Sequence, residues 1–540
     1  MKLPFQSRTL HPLLAAIAAI TITMLPGCIS NRSLMENLAK TVHHPVQDTR
    51  DYASINAFQQ DFLFLTEMLR ETHAEPYAAW SKEEFGAEQR RLLRVLEAET
   101  SRTVFERSLQ AFLSRLQDSH TTAQLSWWGG QRQYPVSFLW IKDTLILASV
   151  GSERDTALIG SRVLAFNGLP AEEVLTRFTR FIAYESMHQA RRVLQYYFVF
   201  PTFHLEAGVT LSDTLELTLL PRDGMQRAFT IVPVEKPKRI APYATHPVTE
   251  KVNRPFRYTI LEDRHACYLQ WNTMLDIRIA RQFSFPLNPL LYPLAWYYGL
   301  RRFENFLEDM FEEMEEEGVR TLIVDLRNNG GGGSIYGEQL LYHLDVPSSI
   351  RTYSMAIRFS PLYREFAAGS YAYYDSLYGL KYGGAKLPDS LMLVSDFVPE
   401  DSSGKTYFRN VTDAESDYYI EPDRKVFHGK VYFLVGEGTY SSAIILSSIV
   451  KDNGLFLTVG QPTRGRPSHY GETLLLKLPN SGIVCRISCK KLFRPDAAKD
   501  SEDSLYPEVE VWPTFDDYRY GRDPIFEWVL GEAEQGINVQ

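Results

Sequence analysis

Hydrophobic positions fall into three successive patterns along this chain. Between residues 55 and 117 they recur at helical spacing: Phe105, Leu109, Phe112, Leu113 and Leu116 share one face, behind a Thr103–Glu106 capping-box signature. That spacing predicts a small helical bundle. It ends at LQDSHTTAQL, where the chain runs through His120 into an alternating, strand-like segment. Residues 130–235 instead carry short apolar runs, TLILASV, SRVLAFNG and TLELTLL, separated by Gly, Asn-Gly and Asp-Gly turn signals. From about residue 250 strand-like and helix-like stretches alternate, which predicts an α/β core. HACYLQW and VRTLIVDL read as strands. Between them Phe303, Phe306, Leu307, Met310, Phe311 and Met314 form a helical stripe closed by Gly318. The glycine run RNNGGGGS and a helical stretch, YGEQLLYHL, follow the second strand. A second unit has the same logic: strand KVYFLV, turn GEGTY, and helix SSAIILSSIVKDNG closed by Gly454.

The first 28 residues stand apart. Lys2 and Arg8 precede an apolar run, Leu13–Leu25, too short to span a bilayer, so it reads as an export signal. It ends in Leu-Pro-Gly-Cys, which resembles the lipobox of bacterial lipoproteins. The resemblance makes Cys28 the lipidated first residue of the mature chain, with proline at the second position a departure from the commonest pattern. Residues 29–50 are polar and unpatterned, and read as a tether.

Composition narrows the field. The chain has 540 residues, 44% hydrophobic and 23% charged, too long for one compact core and suited to two or three domains. A net charge of −9 without a basic block excludes a nucleic-acid partner. Beyond Cys28 only Cys267, Cys485 and Cys489 remain, too few for a disulfide framework. Cys485 and Cys489 lie four apart on a strand-like segment, roughly 13 Å apart, and read as core thiols.

Two segments carry candidate chemistry. Four glycines between a buried strand and a helix let backbone N–H groups face an anion: a nucleotide phosphate, a transient oxyanion, or nothing, if the run is only a tight turn. No Lys-Ser/Thr pair follows, and the spacing fits neither the P-loop nor the dinucleotide fingerprint. Ser441 and Ser442 open a helix after a strand. By itself such a pair is a cap, although a serine there would stand at the carboxyl edge of the sheet, where ligands of α/β proteins bind.

Together, LIVDLRNNGGGG, FLVGEGTYSSAIILSSIVKDNG and VGQPTRGRP resemble, in order and interval, the C-terminal processing peptidase family. That family includes the tail-specific proteases, the tricorn core and the retinoid-binding modules. LQDSHT, the segment IGSRVLAFNGLPAEEVL (similar to a PDZ domain) and YPEVEVWP resemble its other blocks, so that the likeness covers roughly residues 55–535. It implies Ser441 as nucleophile. One branch uses a lysine base where this chain has Arg466, which cannot accept a proton, and that branch's glutamate is replaced by Ile444. The tricorn-like branch uses a histidine, matched by His120, oriented by a glutamate near the C-terminus, matched by Glu502, with Glu508 the alternative. His469 is a rival base. The resemblance also implies an oxyanion hole from the N–H of Gly331 or Gly332 together with that of Ser442.

The expected fold is a multidomain α+β chain: signal 1–28, tether 29–50, N-terminal helical bundle 51–128, PDZ-like β-rich domain 129–240, and an α/β catalytic core of the processing-peptidase (ClpP/crotonase-like) type at 250–540. The expected function is a membrane-anchored serine endopeptidase of the bacterial cell envelope, acting on polypeptide substrates without metal or organic cofactor. A binding lipoprotein on the same fold is the alternative.

Overall fold

The computed structural model describes Lys40 and residues 55–98, 101–126, 132–278, 301–347, 349–398 and 407–537. The expected signal and the tether, apart from Lys40, lie outside these residues, and Cys28 with them.

Helices Ala57–Thr72, Lys82–Leu96 and Arg102–Ser114 form where the apolar spacing predicts. The third starts differently from expectation. It begins at Arg102, so Thr103 lies inside the first turn, and its N-cap Ser101 makes no side-chain cap. Glu106 is wholly buried and accepts instead from the backbone N–H and the hydroxyl of Ser126, both at 2.8 Å. The helices do not close a core alone. Phe62, Leu69, Phe85, Phe105 and Phe112 share their cluster with Leu476, Ile483, Cys485 and Ile487. These come from the antiparallel hairpin His469–Lys477 and Val484–Phe493. The other edge of Val484–Phe493 pairs with Thr122–Ala123, in the register Thr122↔Arg486, and with Ser354–Arg358. The first pairing fixes the chain two residues beyond His120. Cys485 and Cys489 are both buried free thiols on this strand.

In the middle unit, Ser137–Ile141, Thr144–Ser149, Arg162–Phe166, Leu215–Leu220 and Arg227–Ile231 form an antiparallel sheet in that order. Asn167 and Gly168 make the expected turn, with φ of 46° and 79°, and helix Ala171–Phe178 follows. Two further short helices, Met187–Leu194 and Pro201–Glu206, precede the next strand. Leu194, Phe198 and Phe203 pack with Phe138, Phe166 and Leu217, so this insertion is part of the unit's core.

The core sheet has the order Val509–Glu510, Leu457–Gly460, Lys430–Val435, Thr321–Asp325, Ala266–Trp271, Phe256–Leu261. All neighbours are parallel except the last pair. Its central strands are apolar without alternation because both faces are covered. Leu322, Val324, Val431 and Phe433 pack with helices Phe303–Glu316, Ile335–Tyr342 and Ser442–Asp452. Ile323, Tyr432 and Leu434 face Ile525, Phe526 and Val529 of helix Pro524–Ile537. The glycine run and the serine turn therefore leave the carboxyl ends of two adjacent parallel strands, the position where such sheets bind ligands.

Candidate active site

The serine turn is clamped to the neighbouring strand. Thr439 Oγ1 accepts from Gly436 N at 3.0 Å and donates to the Leu326 carbonyl at 2.8 Å. Ser441 then takes φ 54° and ψ −125°, a conformation that L residues seldom adopt and that costs about 1–3 kcal/mol. Its side chain caps nothing: helix Ser442–Asp452 starts at the next residue without a side-chain cap hydrogen bond. The simple helix-cap explanation of this serine is thereby removed.

The glycine run packs directly on this turn. Arg327 is fixed by a fork of two 2.8 Å hydrogen bonds to Asp523 and by Asp325. Gly331 and Gly332 have φ of 91° and 142°. A Cβ on Gly331 would lie 2.7 Å from the Tyr440 carbonyl oxygen and 2.9 Å from Ser442 N; one on Gly332 would lie 2.2 Å from the Met274 carbonyl oxygen. The Ser442 hydroxyl donates to the Gly332 carbonyl at 2.6 Å. One expectation changes here. The Gly331 N–H donates to Asn329 Oδ1 at 2.9 Å and is occupied. Among the described residues the N–H groups of Gly332 and Ser442 have no hydrogen-bond partner.

His120 meets the serine: its Nε2 is 3.3 Å from Ser441 Oγ, across 321 residues of sequence. Asp118 shapes the loop that carries it. The wholly buried carboxylate accepts from His120 N at 2.8 Å, from Thr121 Oγ1 at 2.5 Å and from His73 Nε2 at 3.1 Å. His73 Nδ1 accepts from Glu75 N, so the proton on that ring sits on Nε2, facing Asp118. Burial alone would raise the Asp118 pKa, but the hydrogen bond from His73 and its electrostatic pull, with His120 and Ser488, hold it well below the carboxylate range. Burial pushes His120 down to about 4, against the pull of Asp118 and with help from His469 and Arg464. The imidazole is thus neutral near pH 7, the form that can accept a proton. His469, the rival base, stacks on His120 with ring centroids 5.7 Å apart and donates from Nδ1 to the Pro467 carbonyl at 2.9 Å. It is a buried wall behind the base.

The expected third residue is elsewhere. Glu502 accepts from Arg494 at 2.5 Å, in a cluster where Arg494 also donates to Asp452 at 2.7 and 3.0 Å. The deeply buried guanidinium needs both carboxylates, which is why Glu502 serves Arg494 and not the histidine. Glu508 accepts from Thr458 N at 2.9 Å and Thr458 Oγ1 at 3.3 Å, tying down the edge of the sheet. The partner of His120 Nδ1 is instead the Tyr440 hydroxyl at 2.9 Å. Tyr440 Oη is hydrogen-bonded to Ser119 Oγ, and Ser119 donates to Glu185 Oε1 at 3.1 Å. Burial, together with the Asp118 charge, raises the Glu185 pKa to about 8, against Ser119, Arg466 and Arg464. Ser119 and Tyr440 each directly precede a residue picked out from the sequence. Glu185 precedes the short helix Met187–Leu194, with no motif to mark it.

Among the described residues no group of three or more His, Cys, Asp or Glu side chains could hold a metal ion. The family model for Peptidase family S41 matches residues 297–511, the stretch holding the glycine run and the serine turn. No curated protein matches the sequence. Among solved structures, mature CPAF complexed with lactacystin is similar over 90% of this chain and 99% of its own, at 16% identity and a TM-score of 0.57. Mature CPAF is similar over 88% and 95%, at 16% identity and a TM-score of 0.56. The photosystem II D1 C-terminal processing protease is similar over 85% and 94%, at 13% identity and a TM-score of 0.36. The CPAF likeness extends the shared fold beyond the core to the helices and the middle unit, while the family match bears on the core itself. Residues 297–511 match the S41 peptidases, the C-terminal processing family, and this match supports a serine-type peptidase.

Proposed function

We propose that the chain is an endopeptidase in which Ser441 is the nucleophile and His120 the general base. The observation that carries this is the 3.3 Å approach of His120 Nε2 to Ser441 Oγ, at a strained turn on the carboxyl edge of the sheet. The Ser441 oxygen attacks the peptide carbonyl carbon while its proton passes to His120 Nε2. The oxygen of the tetrahedral intermediate is held by the N–H groups of Gly332 and Ser442, which have no partner among the described residues. Protonated His120 gives its proton to the leaving amine, and water then hydrolyses the acyl-enzyme by the same route in reverse. The role expected of a lysine in another branch has no candidate at Arg466, whose guanidinium is engaged elsewhere.

The substrate is an extended polypeptide. A PDZ-like role for the middle unit follows from its antiparallel sheet with a following helix: an edge strand of that sheet can take a peptide as an added strand. The export signal and the lipobox-like Cys28 make the enzyme a lipid-anchored protein of the bacterial cell envelope.

A fluorophosphonate probe tests this reading. Wild type and Ser442→Ala should label and Ser441→Ala should not. A folded wild type that binds peptide but never labels would assign the fold to binding alone. Anchoring is read separately, by incorporation of labelled palmitate in cells, which Cys28→Ala should abolish.

A further inference from the structure

Serine peptidases need the ring nitrogen remote from the nucleophile to carry the proton, so that the near one can accept. Here that remote nitrogen, His120 Nδ1, faces a hydroxyl, and a hydroxyl can donate or accept. Tyr440 alone therefore does not decide the tautomer. Neither does Ser119, the next hydroxyl in the file. The Asp118 carboxylate lies 3.9 Å from Nδ1, beyond hydrogen-bond reach, so within the file the decision falls to the last member, Glu185. An ionised carboxylate only accepts. With Glu185 ionised, Ser119 donates to it, Tyr440 donates to Ser119, and His120 Nδ1–H donates to Tyr440. Nε2 is then left bare toward Ser441.

Two independent features hold Glu185 in place. Its main chain is pinned on both sides: the N–H donates to Gln189 Oε1 at 2.9 Å, and the carbonyl accepts from Arg466 Nε at 2.7 Å. Its carboxylate occupies space left open by a glycine. A Cβ on Gly465 would lie 2.2 Å from Glu185 Oε1. No positive φ requires glycine at that position; the room for the carboxylate does.

We propose that Glu185, carried in by the middle unit, is the acidic positioning residue of the site, acting through Ser119 and Tyr440 to hold His120 in the tautomer that accepts the Ser441 proton. This rests on the reading of Ser441 and His120 as nucleophile and base. It gives the middle unit a part in the chemistry, because the segment joining its helices completes the catalytic file.

The groups facing Glu185 are Asp118 and Ser119 from the histidine loop, Tyr440 from the serine turn, and Arg464 and Arg466 from the following loop. Burial sets its ionisation near pH 8, so the file acquires its working direction as pH rises through that value.

The test uses the full chain, with the fluorophosphonate labelling rate and hydrolysis of fluorescein-labelled casein measured from pH 6 to 9.5. Wild type should accelerate through about pH 8. Glu185→Gln and Tyr440→Phe should lower kcat by roughly 10²-fold with KM unchanged, and Glu185→Gln should lose the alkaline rise. A Cβ at residue 465 meets Glu185 Oε1 at 2.2 Å and Tyr440 Cδ2 at 3.2 Å, two members of the file, so Gly465→Ala should slow labelling at an unchanged melting temperature, and loss of the alkaline rise in that variant assigns the effect to Glu185. The proposal is overturned if Glu185→Gln and Gly465→Ala label at the wild-type rate with the wild-type pH profile. If folded wild type does not label at all, the assignment of Ser441 fails first and takes this proposal with it. Gly465→Ala and Tyr440→Phe keep the test decisive should Glu185→Gln not fold.

Discussion

Arg466 Nε donates to the backbone carbonyl of Glu185 at 2.7 Å. By the resemblance to the lysine-using branch the arginine stands at the position of that branch's base, and here it brackets the segment that bears Glu185. Its charge also opposes the rise in the Glu185 pKa. An arginine stays protonated, so it can do this without competing for the Ser441 proton.

That geometry predicts how a lysine at this position behaves. Arg466→Lys should not create a second route of catalysis, because the side chain is directed to Glu185 and not to Ser441. His120→Ala should be inactive, and His120→Ala with Arg466→Lys equally so, each at least about 10²-fold below wild type in casein hydrolysis. Recovery of activity in the double variant would show that a lysine here can serve as base.

The glycine run yields a sharper contrast. Gly331→Ala and Gly332→Ala meet backbone atoms at 2.7 Å and 2.2 Å in left-handed conformations, so neither can be absorbed by a side-chain shift. Both should lose fluorophosphonate labelling by more than about 10²-fold, the scale of a disrupted oxyanion hole. At Gly330 a Cβ meets nothing within 4 Å. Gly330→Ala should therefore label within about two-fold of wild type, since surface changes of this kind are nearly neutral.

Much of this architecture was legible because it rests on local rules. The strands HACYLQW, VRTLIVDL and KVYFLV, the C-terminal glycines Gly318 and Gly454, and the Asn167–Gly168 turn all follow from periodicity and backbone permissiveness. The Ser441–His120 pairing was legible only through combined motifs, as no single segment specifies a partner 321 residues away. Glu185 was not legible. It sits on a helical insertion within a strand-rich stretch, and its meaning comes from tertiary approach to Ser119 and Gly465. Glu502 was misread for the complementary reason: a carboxylate before a recognised block was taken by the nearest buried cation, Arg494.

Glu502 accordingly belongs to stability and not to catalysis. Glu502→Gln should keep kcat within about two-fold and lower unfolding stability by about 1–3 kcal/mol, the worth of a hydrogen bond to a charged group. Asp452 still balances Arg494 in that variant. Arg494→Met should be worse, at about 3–5 kcal/mol, because it strands the buried Asp452 carboxylate without its partner. Urea titration of the two variants measures the difference. A catalytic defect in Glu502→Gln at unchanged stability would return Glu502 to the active site.

Glu185 links catalysis to stability through pH. Its folded pKa, about 8, lies above the ordinary glutamate value of 4.5, because burial disfavours the carboxylate. Between those values the native protein holds a proton that the unfolded chain releases. Stability therefore falls as pH rises through the window: the contribution is fully present below 4.5 and exhausted above 8. Each unit of displacement is worth about 1.4 kcal/mol, so the loss between pH 5 and 9 is of order a few kcal/mol. Glu185→Gln removes this titration and nothing else that ionises. Thermal melts of the two proteins across that range should diverge steadily, the variant gaining on wild type as pH rises while its labelling rate falls behind. Parallel melting curves would mean that Glu185 is already ionised at neutral pH, and the alkaline rise in activity would have to vanish with them.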